Sequence, residues 1–356
     1  MIPVANPLVN KGSQNIINLI GHNLKHVLRM SSKLPHVWDY RDVREYLKRQ
    51  AKSEWPPLII TVAPTGGGQG KETNPNLPET PEEQADETYA AYQAGASVVH
   101  LHARSKEKGY ADGTSRPEDY RYLNGLVRDK CPDIVIANTT GASAGMPMEE
   151  RIKCLEAFPE MASLNMGPSP VRYTLKKRLP PLAGRPEDII YDGIDPFILQ
   201  PWKETELFAK AMLEKDVKPE LEVYNSGQFW LVHNLIDQGL IKPPYIIQFV
   251  MGFQGGTYPT PKNMLFLGEH APQPCVLNIA GVGAAQLTLN TLGIIMGWHV
   301  RTGMEDNIYY KRGEKTKSNA DLVARIVRIA KELNREIATP QQAREMLSIK
   351  SPRSYN

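Results

Sequence analysis

His100 and His102 lie in the run Val98-Val99-His100-Leu101-His102-Ala103-Arg104, which is apolar and β-branched enough to form a strand. Side chains alternate along a strand, so both imidazoles share one face and Leu101 takes the other. Two imidazoles on one inward face suit a single divalent metal. The plainer alternative is a hydrogen-bonded pair of core histidines. A metal needs a third ligand, and the carboxylates at other run ends, Glu220, Glu222, Glu305 and Asp306, are candidates. Another histidine pair, His22 and His26, falls four apart in the helical spacing of residues 15–30. There the expectation is surface or packing on an amphipathic helix.

The elements that must position these groups begin near Pro57. Short β-branched or apolar runs occupy 58–63, 97–103, 134–138, 162–166, 219–224, 245–251, 275–280 and 299–303. Helical patterns follow each of them, at 81–94, 117–130, 148–158, 203–214, 226–238, 261–270, 284–296 and 318–333. Thr80 and Ser318 are suitable N-caps, and Gly95 and Gly239 suit helix ends. Eight βα units close most simply into a (β/α)8 TIM barrel. A doubly wound sheet is disfavoured by that count and by the lack of Gly-x-Gly-x-x-Gly after the first run. Closure would set the eighth run beside the first and close to the second, which makes Glu305 a good third ligand, with Arg301 and Asp306 as neighbours. Catalytic zinc with three protein ligands keeps a position open for substrate. The expected division is an N-terminal extension, 1–54, and a catalytic barrel with a C-terminal helical tail, 55–356. The stretch 168–201 after the fourth run is a long loop with seven prolines and five Lys/Arg. It leaves the face where barrel active sites lie. Its basic side chains suggest either a contact for a polyanion or a subunit-contact arm.

Composition narrows the class. The 42 Lys/Arg and 39 Asp/Glu leave a net charge of +3, too balanced for a dedicated nucleic-acid binder. No apolar run is long enough for a membrane-spanning helix, and Met1-Ile2-Pro3-Val4 lacks a signal-peptide layout. Cys131, Cys154 and Cys275 are odd in number without metal-type spacing, so buried thiols are expected. These features point to a cytoplasmic protein. Polar groups recur at run ends: Asn138-Thr139-Thr140-Gly141-Ala142, Ser163-Leu164-Asn165 and Glu220-Leu221-Glu222. Gly66-Gly67-Gly68 and Gly255-Gly256 give flexible backbone after the first and sixth runs.

From about Pro57 to Leu347 the chain resembles the β-keto acid cleavage enzymes. The motifs that carry the resemblance are Asn76-Leu77-Pro78-Glu79-Thr80-Pro81-Glu82-Glu83-Gln84, Val99-His100-Leu101-His102, Ser163-Leu164-Asn165, Pro219-Glu220-Leu221-Glu222-Val223-Tyr224, His299-Val300-Arg301-Thr302-Gly303-Met304-Glu305-Asp306-Asn307 and Ala338-Thr339-Pro340. The resemblance implies a Zn2+-dependent barrel that condenses a β-keto acid with acetyl-CoA, giving acetoacetate and a new acyl-CoA. It implies His100, His102 and Glu305 as metal ligands. It implies Asp306 as the proton-removing residue, with Arg301 and Glu222 around it, and Thr139, Ala142 (through its backbone), Ser163 and Asn165 as substrate contacts. Small molecules are then the partners, with no nucleic acid or membrane, in a homo-oligomer expected to be a homotetramer. Thr139 stands where the type member has a serine. Gly68 stands where it has a glutamate that reads a substrate amine, so a neutral or acidic substrate tail is expected. The rival reading is a metal-dependent hydrolase of the amidohydrolase type. That type places its His-x-His on strand one, with further histidines on strands five and six, which have none here. A non-catalytic metabolite binder is disfavoured by the intact ligand set with Arg301 and Asp306.

Overall fold

The computed structural model describes residues 43–52, 55–141, 146–167, 173–191 and 200–355. The expected helix at 15–30 with His22 and His26, the boundary at 54, and Ala142 lie outside them. Eight parallel strands close a barrel: β1 Ile60–Val62, β2 Val98–Leu101, β3 Val135–Asn138, β4 Met161–Asn165, β5 Lys218–Val223, β6 Tyr245–Met251, β7 Cys275–Gly281 and β8 His299–Thr302. Each pairs with its sequence neighbours, and β1 closes on β8 with Ile60 opposite Val300 and Thr61 opposite Arg301. The doubly wound alternative is excluded by this closure.

Alternation along the strands builds two chemically different regions. Val99, Leu101, Leu221, Val223, Ile247, Phe249, Leu277 and Ile279 point outward into the apolar layer beneath the helices. The inward positions near the strand starts are also apolar: Ile59, Val98, Val135, Met161, Ile246 and Val276 pack together with Ala343 and Leu347 of the C-terminal helix Pro340–Leu347. That helix stoppers the bottom of the barrel. Toward the strand ends the inward residues become polar, and so the cavity opens at the top.

Local signals set the helices. Thr80 and Glu83 form a reciprocal capping box at the start of α1 (Pro81–Ala94), which ends at Gly95 with φ +118°. The stretch expected as a helix over 148–158 is one short α-turn, Met148–Arg151, followed by a tighter 3-10 segment, Ile152–Ala157. All three cysteines are free and buried, as expected, and burial pushes each thiol up to about 12. No helix among the described residues is long and apolar enough to cross a membrane.

The loop after β4 departs from one expectation. Tyr173–Leu175 and Ile189–Tyr191 form an antiparallel hairpin. Arg178, expected as a basic contact for a polyanion, is buried in ion pairs with Glu72 and Glu79, both at 2.7 Å. Arg185 likewise pairs with Glu72 at 3.0 Å and Asp112 at 3.1 Å. These guanidiniums clamp the hairpin to the loops after β1 and β2 and are not free for an incoming phosphate. Lys176 is exposed and pairs with Asp188 at 3.0 Å; Arg172 lies outside the described residues.

At the closed end, the buried Glu160 accepts from Arg128 at 2.8 Å, Arg344 at 2.7 Å and the backbone N–H groups of Ile136 and Arg353. Truncating one partner of such a buried set leaves charges uncompensated, at a cost of about 3–5 kcal/mol. Glu160→Ala is therefore expected to lose about that much unfolding free energy in urea titration; a loss below about 1 kcal/mol, typical of an exposed pair, would contradict the assignment.

Candidate active site

Strand β2 delivers His100 and the residue just past its end, His102, to the same inward face, 1% and 8% exposed. Their Nε2 atoms stand 3.2 Å apart. Glu305 arrives from the turn after β8, with Oε1 3.2 Å from His102 Nε2 and Oε2 3.8 Å from His100 Nε2. This turn depends on Gly303. Its φ is +148°, and a Cβ there would collide with the Ala63 carbonyl. The freedom of glycine lets the chain double back so that the Glu305 N–H reaches that same carbonyl at 3.2 Å.

The three side chains fit a metal. Their ligand atoms lie within 4.8 Å of one another. Among the described residues, Oε2 of Glu305 is buried without a hydrogen-bond partner. Two nitrogens bound to one tetrahedral ion at about 2.0–2.1 Å would sit about 3.3 Å apart, close to the separation found. Burial, reinforced by the Arg301 charge, holds His100 well below the usual histidine range, so it is neutral and able to donate its lone pair. Glu305 stays below the usual carboxylate range because Arg301 and the two histidines outweigh the burial that would raise it.

Arg301, on β8, organises the neighbouring carboxylates. Its Nε donates to Asp306 Oδ2 at 2.8 Å and its Nη2 to Asp306 Oδ1 at 2.9 Å. Nη2 also lies 2.6 Å from Glu305 Oε1, and Nη1 is 3.5 Å from Glu222 Oε1. Burial disfavours a charged guanidinium, but Asp306, Glu305 and Glu222 reverse this and raise its pKa well above the usual value. One cation cannot keep every nearby carboxyl ionised. Burial pushes Glu222 up to about 8 and Glu220 to about 7, each against the pull of Arg301. Asp306, gripped on both oxygens, rises only to about 6 through burial. Glu222 is further held by Gln248 Nε2 at 3.1 Å, and Gln248 by Asn278 at 2.9 Å.

A cavity of about 830 Å³ opens over these groups. On its β3/β4 side Thr139, Gly141 and Asn165 line the wall. The Thr139 Oγ1 accepts from Gly141 N at 3.0 Å, and Tyr224 donates to Asn165 Oδ1 at 3.1 Å. Ser163 is fully buried behind them, with its Oγ accepting from Thr140 N at 3.1 Å. Its Oγ thus supports the Thr139–Thr140 turn. On the β1 side Gly66, Gly67, Gly68 and Gln69 line the cavity. Their carbonyls are all held from outside: Gly66 and Gln69 by Arg104, Gly67 by Gly113 N, and Gly68 by Arg185. Their N–H groups have no acceptor among the described residues.

Sequence reasoning missed Tyr224, Gln248, Asn278 and Arg151. The i, i+2 pattern Glu220-Glu222-Tyr224 carries a signal for the first. Gln248 and Asn278 interrupt otherwise apolar strands in register with Glu222. No spacing marks Arg151.

Comparison with known proteins identifies the family. The model of the β-keto acid cleavage enzyme family matches residues 57–349. A 3-keto-5-aminohexanoate cleavage enzyme of Fusobacterium nucleatum is 38% identical over 295 residues, covering 82% of this chain and 98% of that protein. A 3-oxoadipate:acetyl-CoA acetyltransferase of Cupriavidus necator is 33% identical over 301 residues, covering 83% and 96%. Among solved structures, the ternary complex of ObcA with C4-CoA adduct and oxalate has a TM-score of 0.56 at 19% identity, covering 77% of this chain and 68% of that one, a likeness of fold. With the motifs, the barrel and the family match in agreement, the chain belongs to the β-keto acid cleavage enzyme family.

Proposed function

We propose that this protein condenses a β-keto acid with acetyl-CoA to give acetoacetate and a new acyl-CoA. The observation that carries the reading is the meeting of His100, His102 and Glu305 beside an Arg301-held Asp306 at one cavity. Relatives named for acetyl-CoA-dependent transfer, on 3-oxoadipate and on 3,5-dioxohexanoate, support it.

His100, His102 and Glu305 would hold one divalent ion, Zn2+ by its preference for such nitrogen and oxygen donors, which polarises a substrate carbonyl when bound. Thr139, the neighbouring backbone at Ala142, and Asn165 receive the substrate's carboxylate end, with Ser163 supporting them. Asp306 takes a proton from the carbon between the keto and carboxylate groups, and Arg301 fixes the carboxylate that does so. Glu222 packs against the other side of Arg301 and holds it in place. The carbanion attacks the acetyl carbonyl of acetyl-CoA and expels the CoA thiolate. The thiolate then adds to the original keto carbon, the bond to the α-carbon breaks, and acyl-CoA forms. The leaving acetoacetate carbanion takes back the proton, so Asp306 ends as it began.

With the carboxylate at the β3/β4 wall and the keto group toward the histidines, the substrate's tail extends toward the β1 loop. There Gly68 offers no carboxylate for an amine, and the unoccupied N–H groups of residues 66–69 favour an acceptor. A cytoplasmic homo-oligomer with residues 1–54 as an extension from the barrel completes the reading. The family match beginning at residue 57 supports the extension, and the exposed Trp202, Trp230 and Phe266 on three outer helices support the oligomer.

Asp306→Asn is expected to keep its metal content while acetyl-CoA-dependent acetoacetate formation falls about 10²–10⁴-fold. Near-normal turnover with metal bound would assign the base elsewhere, and Glu222 would be examined next. Across a panel of β-keto acids, those with neutral or acidic tails should exceed 3-keto-5-aminohexanoate in kcat/KM by about tenfold or more, the scale of one lost charge-assisted contact. A preference for the aminohexanoate would show that the amine has another partner.

A further inference from the structure

Arg151 ends the short helix after β3, is 7% exposed and lines the cavity. A buried guanidinium is costly unless its charge and donors are matched. Two other buried arginines that lack a carboxylate partner, Arg104 and Arg335, satisfy all three guanidinium nitrogens with oxygen acceptors. Arg151 does not. Its Nε donates to Thr140 O at 3.0 Å and its Nη2 to Gln200 Oε1 at 2.9 Å, while Nη1 has no acceptor among the described residues. It also lies over the Phe208 ring, 5.2 Å from the guanidinium carbon to the ring centroid.

The residue it grips matters. Thr140 is fastened to Ser163 on both sides, N–H to Oγ at 3.1 Å and Oγ1 to the carbonyl at 2.8 Å. On either side of Thr140 in the chain stand Thr139 and Gly141, both in the cavity wall. The Glu204 charge acts on this guanidinium, but among the described residues no carboxylate pairs with it directly, so a positive charge with no direct ion pair there backs the turn that faces the cavity on the β3 side.

We infer that Arg151 is the counter-charge for the β-keto acid's carboxylate, a positioning residue that sets the Thr139–Gly141 turn and favours an anion at that end of the cavity. The inference rests on the β-keto acid reading above. It also explains why the chain keeps a costly charge there: the substrate completes it.

The test compares a β-keto acid with its neutral amide, each with acetyl-CoA, in the wild type, Arg151→Met and Arg151→Lys. The wild type should prefer the acid. Arg151→Met should lose about 10–100-fold of that preference, the range for removing a buried charge partner, mainly through KM for the acid, with KM for acetyl-CoA little changed. Arg151→Lys should retain most of the preference. If Arg151→Met does not fold, Arg151→Gln, which drops the charge but keeps a donor, supplies the same comparison. Equal loss on acid and amide, with the preference intact, would make Arg151 a purely structural residue and overturn the inference. A wild type that turns over no β-keto acid would remove the functional reading itself, a failure visible before any variant is compared.

Discussion

One guanidinium carries the upper half of this barrel. Arg301 is 4% exposed and holds Asp306 on both oxygens, Glu305 at 2.6 Å and Glu222 at 3.5 Å. Without it, the candidate base, a candidate metal ligand and an inward glutamate would repel one another in a space water reaches poorly. With it, the acids are separated in function. Glu305 is held ionised and aimed at the histidines. Asp306 is fixed in orientation but remains the more basic of the two. Glu222, furthest from the cation, is the most readily protonated of the three. Such separation of neighbouring carboxyls by their environment is how one site can hold a metal and move a proton at once.

The rest of the fold can be understood as support for that cation. The lower interior is an apolar plug of strand-start residues sealed by the C-terminal helix, which keeps the polar groups confined to the strand ends. Gly303 permits the turn that brings Glu305 and Asp306 back over Arg301. The clamp of Arg178 and Arg185 on Glu72, Glu79 and Asp112 fixes the β1 loop and the hairpin after β4 at the cavity rim. The plug and the clamp are remote from the proposed chemistry in sequence, whereas Gly303 is close to it and sets the position of Glu305.

Much of this was legible in the sequence because it follows from strand alternation. His-x-His and Glu-x-Glu on short β-branched runs must share an inward face, and eight βα units must close so that β8 lies near β2. The caps at Thr80 and Ser318 are equally local. What was not legible depends on pairing across long distances. The basic loop at 168–201 looked available to a polyanion because nothing in its own residues shows that Glu72 and Glu79, about 100 positions away, neutralise Arg178. For Ser163, alternation gives the face but not the hydrogen bond it accepts from the Thr140 N–H. Arg151 carried no signal, since a single arginine on a short helix is ordinarily a surface residue.

The proposed chemistry requires that His100, His102 and Glu305 jointly bind one divalent metal beside Asp306. Anomalous diffraction from crystals of the purified protein, collected on both sides of the zinc edge, tests it most directly. A single peak per chain is expected, at about 2.0–2.2 Å from the two Nε2 atoms and a Glu305 oxygen. A peak bound by other residues, or active protein whose three side chains meet without any metal between them, would contradict it.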